Sequence, residues 1–522
     1  MRSLLKSVSV LALSACLPLL VAGPSYSQST SQTTRASVEQ RLQSLEGQRE
    51  QTDEELKQKD VRIKELDARI KELEKQLQGA SVAPPAAMAT GAGTSPATVP
   101  APVSEVAKEA AAIQAEEATE VDTSTPMAPG KGFQVANGEY GSMNIGLYAL
   151  VRATEQLPAT QEATDHLNRT FAVDTRQDIQ LHRVMVHFRG WAYDPKFNYQ
   201  LTVWTVNDTE QVKLIGALGY RFSEKFSLWG GMGPNPGTRS MLGSHPFWQG
   251  HDRVMADEYF RPGFTFGVWG TGEIVPGLGY QLTLGNQVSA LGVNSVEDTR
   301  DLSYGGSVWW MPTTKEFGPQ GAFGDFEMHD ELATRFGVSS VWSPSEDRAS
   351  QPSQSSPDTT QIRLGDSLLL FGTGSLGDNV TIQKANFKLL SVDAGMKYEG
   401  IFLQTELYYR LLDDFRLATG SLGSPVQSIR DKGFYVQSGF FPIPRKLETY
   451  ASTSWVFPDS GAGYDQSHDF ILGANWYWSG TRYQRMNFQW INVTRSPASS
   501  TFGYYTGGMN GNTYTVDVSM LF

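Results

Sequence analysis

Arg239, His245, His251, Asp252, Arg253, Asp257, Glu258 and Arg261 crowd into a single stretch, ~234–263, that also holds Gly and Pro. His245 and His251 are six residues apart, a spacing that neither a helix turn nor a strand face brings together as a metal pair. The chain offers no paired acid and base, no nucleophile elbow and no phosphate-cradling glycine loop. The expectation is therefore a protein that is not an enzyme and takes no cofactor or metal. Electrostatics remains. Fixed charges of both signs, carried into a narrow and partly dry passage, filter solutes by charge. The same charges could equally form ion pairs that hold the stretch against a wall, and the sequence leaves both readings open.

The elements around this stretch are strands. From ~Met143 the sequence runs in alternating segments starting near 143, 178, 197, 211, 225, 264, 278, 304, 331, 387, 401, 433, 446, 468, 480 and 513. Leu403, Leu407, Tyr409 and Leu411 alternate with Gln404, Glu406, Tyr408 and Arg410. In the last segment Tyr514, Val516, Val518, Met520 and Phe522 share one face, and Thr515, Asp517, Ser519 and Leu521 the other. Period-two alternation sets each face of a strand in its own environment. After the first ~25 residues no apolar run reaches the roughly 18–20 residues of a spanning helix, and mean hydropathy is −0.32. A membrane protein of this composition must be a β-barrel, apolar outside and polar within; a soluble all-β protein is the rival reading.

About sixteen segments satisfy the even count expected of such a barrel. Short connections such as Val275-Pro276-Gly277 and Pro442-Ile443-Pro444 alternate with long polar ones, ~234–263 among them. The alternation fails at ~313–330, which leaves eighteen strands as the alternative. Strand parity points Arg152, Lys213, Arg221, Arg335, Lys397, Arg410 and Arg485 inward, together with Glu331, Asp393, Glu399, Glu406 and Asp517. Polar inner faces predict a wet lumen, and His182 and His187 fall on opposite faces of their strand by the same count.

The region before ~140 divides into three. Residues 1–27 read as a signal peptide: Arg2 and Lys6 precede an apolar core, with small residues at Ser25 and Ser27. Leu13-Ser14-Ala15-Cys16 also resembles a lipoprotein cleavage box, and Cys16 is the only cysteine. Residues 36–78 carry a heptad seam through Leu42, Leu56, Ile63, Ile70 and Leu77, with Val38, Leu45, Leu66 and Leu73 at the second core position. Arg41-Leu42-x-x-Leu45-Glu46 and its near-copies at Arg62 and Arg69 resemble a trimerisation motif, so a trimeric α-helical coiled coil is expected. Residues 79–135 are a Pro/Ala-rich linker. Net charge is −12, which gives no support to nucleic-acid binding.

Gly433-Phe434-Tyr435-Val436-Gln437-Ser438-Gly439-Phe440-Phe441-Pro442, with Pro444-Arg445-Lys446-Leu447-Glu448, resembles the penultimate strands of the phosphate-selective porin O and P family. Leu472 to Gly480 and Ala256 to Gly263 are similar to segments of the same family, and the likeness spans ~140–522. The resemblance implies a trimeric, sixteen-stranded outer-membrane channel for small hydrophilic solutes or ions, with anions such as phosphate as the narrower reading. It places ~234–263 as the constriction loop. It also makes Phe522 the aromatic signal read by the outer-membrane assembly machinery, and gives outer-membrane lipid and lipopolysaccharide as surroundings. The coiled coil would stand in the periplasm, with peptidoglycan a potential partner. An envelope protein that tethers outer membrane to cell wall is the alternative.

Overall fold

The computed structural model describes residues 127–206, 211–291, 301–352, 361–420, 426–500 and 503–522. The expected signal peptide, the expected coiled coil and the expected linker up to residue 126 lie outside the described residues. The described chain opens with β1 (Met127–Ala128) and β2 (Gly132–Gly138), followed by β3 (Gly141–Leu157), the hairpin β4 (Thr160–Thr164) and β5 (Thr170–Asp174), and β6 (Gln177–Ala192). Next come β7 (Asp194–Val206), β8 (Gln211–Ser223), β9 (Phe226–Pro234), a short helix α1 (Met255–Phe260), β10 (Phe264–Val275), β11 (Leu278–Asn286) and β12 (Leu302–Trp310). The rest is β13 (Ala333–Asp347), β14 (Thr381–Tyr398), β15 (Ile401–Thr419), β16 (Ser428–Ile443), β17 (Leu447–Phe457), β18 (Ser467–Trp476), β19 (Gln484–Thr494) and β20 (Gly511–Leu521).

β3 and β6 to β20 form one antiparallel ring, each strand bonded to the next and β20 returning to β3. The ring has sixteen strands and the eighteen-strand alternative falls. The expected starts follow the observed ones closely, the largest offset being β14, which begins at Thr381 against an expected 387. β1 and β2 add to the sheet beside the ring. β2 pairs with the first residues of β3, below the stretch of β3 that β20 occupies. The chain therefore joins the sheet from Met127, earlier than the expected linker end at 135.

Closure uses the last residues. Asp517 lies opposite Arg152, and Leu521 opposite Tyr148. The amide of Phe522 donates to the Leu147 carbonyl (3.0 Å), and the Leu147 amide donates to Phe522 O (2.8 Å). Gly146 is required there, because a Cβ would stand 2.6 Å from Phe522 O. The Phe522 ring meets Phe133 of β2 edge-on at 5.8 Å.

Burial assigns the faces. On β20, Tyr514, Val516 and Met520 are 41–48% exposed, while Thr515, Asp517 and Ser519 are at most 2% exposed. The same split runs along β15, with Leu403, Leu407 and Tyr409 outside and Gln404, Glu406 and Arg410 within. A closed barrel with an apolar outer belt and charged inner face leaves no backbone edge unpaired, the condition for a sheet to cross hydrocarbon. Connections at one end are short, such as Tyr193 and Pro276-Gly277, with the exception of 311–332. At the other end they are mostly long, the join between β7 (ending at Val206) and β8 (starting at Gln211) being the exception there. Val516 sits mid-strand on the outer face, so Val516→Arg should lower unfolding free energy in lipid vesicles by about 2–4 kcal/mol, and Met520→Arg, near the strand end, by about 1 kcal/mol or less. Equal costs in denaturant titrations would contradict the assigned depth.

Candidate functional site

The loop 235–263 leaves β9, turns into the barrel and returns to β10. It carries a 3-10 turn at Arg239–Leu242 and the helix α1, which ends before Pro262 because proline cannot extend it. All eight charged or titratable residues singled out in this stretch lie within the barrel. Arg152 on β3 donates through Nε and Nη2 to Asp517 (2.6 and 3.1 Å), and its Nη1 stands 2.6 Å from Asp252. Asp252 also accepts from Arg183 (2.6 Å). His251 reaches Ser519 through Nε2 (2.7 Å) and lies 3.3 Å from Asp517 through Nδ1. His245 stacks on Tyr148 at 5.3 Å. Arg485 of β19 donates to three successive loop carbonyls, Trp248 (2.7 Å), Gln249 (3.2 Å) and Gly250 (2.7 Å).

The remaining charges either hold the loop further along the wall or brace it internally. The Arg239 amide donates to Glu406 (2.9 Å), and its guanidinium to Gly321 O (2.7 Å). Arg253 lies over the Trp248 ring (4.1 Å) and 3.5 Å from Asp257. Arg261 grips Glu258 through two nitrogens (2.9 and 2.8 Å). Arg410 pairs with Asp431 (2.6 Å), which also accepts from Tyr259 of α1 (3.1 Å). Asp469 accepts the Met255 amide (3.2 Å) and the Tyr505 hydroxyl (2.5 Å). These contacts run over β14 to β20 and β3, and through Arg183 reach β6.

Five of the seven inward cations, Arg152, Arg335, Lys397, Arg410 and Arg485, are at most 2% exposed. The wet lumen expected from polarity is thus absent along this half of the wall. The loop replaces water as hydrogen-bond partner. Lys213 and Arg221 are different: both are on the inner face of β8 and only half-buried, as is Arg189 on β6. Two expected inner acids move out of the strands, since Glu331 lies in the 311–332 connection and Glu399 in the turn after β14, both exposed. A bulge where Leu150 faces Arg183 and Val151 faces Leu181 shifts the parity of β6. His182 therefore touches Arg152 (3.3 Å), and His182 and His187 both face inward.

The segment 311–332 explains the broken alternation. It folds up into the barrel from the short-turn end and meets the loop: the Phe323 amide donates to Phe247 O (2.8 Å), and Arg239 lies over the Phe323 ring (5.1 Å). Arg482 secures it through Glu327 (2.8 Å), Phe323 O (3.0 Å) and Gly324 O (3.1 Å). Lys397 donates to Phe317 O (2.5 Å). His329 bridges Asp325 and Glu316. Burial lowers the imidazole, but its hydrogen bonds to those two acids outweigh burial and hold it at about 9. Burial raises the Glu327 carboxyl, yet Arg482 and Lys397 pull it down to about 2. No sequence signal marked this segment beyond its length in a place where a short turn was expected. Among the described residues, no group of three or more His, Cys, Asp or Glu is arranged to hold a metal.

The fold and its interior define a membrane-spanning β-barrel with two inserted segments. No family model and no curated protein matches the chain. Among solved structures it is similar to outer-membrane expressed OmpT of Vibrio cholerae, at 11% identity and TM-score 0.47, covering 74% of this chain and 99% of that chain. It is also similar to an anion-selective porin from Comamonas acidovorans (9% identity, TM-score 0.42, covering 73% and 100%) and to the outer membrane channel DcaP of Acinetobacter baumannii (10% identity, TM-score 0.39, covering 75% and 99%). At these scores the likeness carries no argument, and the fold rests on the closed ring itself.

Two exchange experiments follow from this geometry. Arg485→Met removes the donor to three loop carbonyls, so amides 248–252 should lose at least about tenfold of their hydrogen-exchange protection while the strands keep theirs. Unchanged protection would show that Arg485 does not hold the loop. His329 has a folded value above its ordinary 6.5, so its contribution is fully present below 6.5 and lost as pH rises through about 9. Protection of amides 316–329, corrected for intrinsic exchange, should fall at least about tenfold between pH 6 and pH 10, and His329→Gln should abolish that dependence.

Proposed function

We propose that the chain forms an outer-membrane channel for passive diffusion of small hydrophilic solutes or ions, with a preference for anions, phosphate among the candidates. The observation that carries this reading is the contrast between the two halves of the inner wall. On β13 to β20 and β3 the acids Asp393, Glu406 and Asp517 are buried against loop and wall arginines. On β6 to β8 the half-buried Arg189, Lys213 and Arg221 face inward, and no acid occurs from Arg183 to Ala192, from Phe197 to Val206, or from Gln211 to Ser223. A solute passing the loop on that side meets a wall in which cations predominate, and Coulomb attraction in a narrow passage favours anions. On this reading the loop charges position the constriction, and the wall opposite sets the field. The chain is not an enzyme.

The contact of the two inserted segments favours a second reading, in which the barrel is chiefly an anchor and the expected coiled coil at 36–78 tethers the outer membrane to the cell wall. Planar-bilayer recording of the purified protein separates the two, with sedimentation of the same preparation testing the expected trimer. Ohmic conductance with an anion-sided reversal potential under a tenfold salt gradient is expected. Lys213→Gln with Arg221→Gln should reduce the anion-to-cation permeability ratio at least about twofold. Absence of conductance would sink the channel reading, and a reversal potential unmoved by the double substitution would sink the assigned selectivity wall.

A further inference from the structure

The outer face changes character abruptly at the loop end of β14 to β17. On β14 the outward row runs Tyr398, Met396, Ala394, Val392 and Leu390, and its next member is Lys388. Lys388 stands opposite Leu411 of β15, and Leu411 opposite Arg430 of β16. One level nearer the belt, Tyr409 faces Lys432, and Lys432 faces Phe457 of β17. Arg430 and Lys432 are exposed, and the Lys388 side chain is 41% exposed. Three cations thus form a row along the edge of the apolar belt, all on the face that looks away from the lumen.

Aromatic rings fill the belt directly below. Phe434 stacks with Phe457 (6.2 Å), Trp455 with Phe457 (6.0 Å), and Trp455 with His468 (4.4 Å), with Phe470 edge-on to Trp455 (6.3 Å). The nearby acids are engaged. Asp413 accepts from Lys388 (2.7 Å) and Asn386 (2.9 Å), Asp414 pairs with Arg416 (2.8 Å), and Asp459 accepts the amides of Arg430 (3.1 Å) and Gly461 (3.0 Å). Aromatic side chains at this depth mark a membrane interface, and long basic side chains there reach up from apolar surface to the polar headgroups.

The geometry points to a lipid site: the outer face of β14 to β17 binds a phosphate-bearing lipid of the outer leaflet. Arg430 and Lys432 take the headgroup phosphate, Lys388 flanks it, and Phe434, Trp455 and Phe470 lie along the acyl chains. Guanidinium and ammonium groups at a headgroup depth complement phosphate in charge and donor geometry. A cationic row set on the outer face serves no solute in the lumen. The inference rests on the outer-membrane reading with the long loops outward, but not on conduction.

Native mass spectrometry of the full-length protein in neutral detergent, loaded with bisphosphorylated lipid A or its dephosphorylated counterpart, tests it. The bisphosphorylated lipid should be retained preferentially. Arg430→Ala with Lys432→Ala should lower retention at least about tenfold, while Lys225→Ala with Lys446→Ala, exposed lysines at the opposite end, should leave it unchanged. Arg430→Gln with Lys432→Gln is the substitute should the alanine variant lose its heat-modifiable barrel. Equal retention of the two lipids, undiminished retention in both Arg430/Lys432 variants, or an equal loss in the Lys225/Lys446 control would overturn the site. Conductance measured on the same preparations separates the claims, because loss of lipid retention with normal current would leave the channel standing.

Discussion

Hydrocarbon offers no hydrogen bonds to a bare backbone, and that constraint governs the arrangement of every strand. β20 must find β3, and it does so with Asp517 opposite Arg152 and the Phe522 backbone exchanging bonds with Leu147. Once the register at this seam is set, period-two alternation assigns each side chain to lipid or lumen. Valine, leucine and aromatic residues then have nowhere to go but outward, and Arg152, Arg410 and Arg485 nowhere but inward.

A ring of sixteen strands is too wide for side chains alone to fill. The inward arginines of β13 to β20 and β3 consequently face a choice between water and peptide. Here they take peptide. Arg485 meets three carbonyls of one loop, and Arg152 meets an acid of that loop and an acid of the wall. Removing charges from water costs several kcal/mol per ion unless each is paired and its remaining donors are used. Glu406 taking the Arg239 amide and Asp469 taking the Met255 amide show the same economy at the backbone.

The strand pattern was legible because alternation survives wherever lipid and lumen differ. Leu403 to Leu411 and Tyr514 to Phe522 could be assigned to faces from spacing alone. The position of the loop could be read as well, from eight charged or titratable residues between a strand ending at Pro234 and one starting at Phe264. Three things could not. A one-residue bulge beside Arg183 reverses parity, so His182 and His187 share a face against simple counting. Glu331 and Glu399 lie just beyond strand ends, where parity has no meaning. The partners of Arg152 are at Asp252 and Asp517, far along the chain, and pairing at such separations leaves no mark on local spacing.

The two readings of the loop charges, filter and fastening, turn out not to compete. Charges that pair with the wall cannot also face a passing solute with full strength, because a neighbouring opposite charge cancels most of their field beyond a few ångströms. Fastening the loop over β14 to β20 and β3 removes acids and bases together from that half of the interior. On the proposed channel reading, what it leaves is set by β6 to β8, where Arg189, Lys213 and Arg221 face inward and no acid occurs from Phe197 to Val206 or from Gln211 to Ser223. On that reading the loop shapes selectivity without contributing net charge to it: by covering the mixed wall, it lets the cations of β6 to β8 decide.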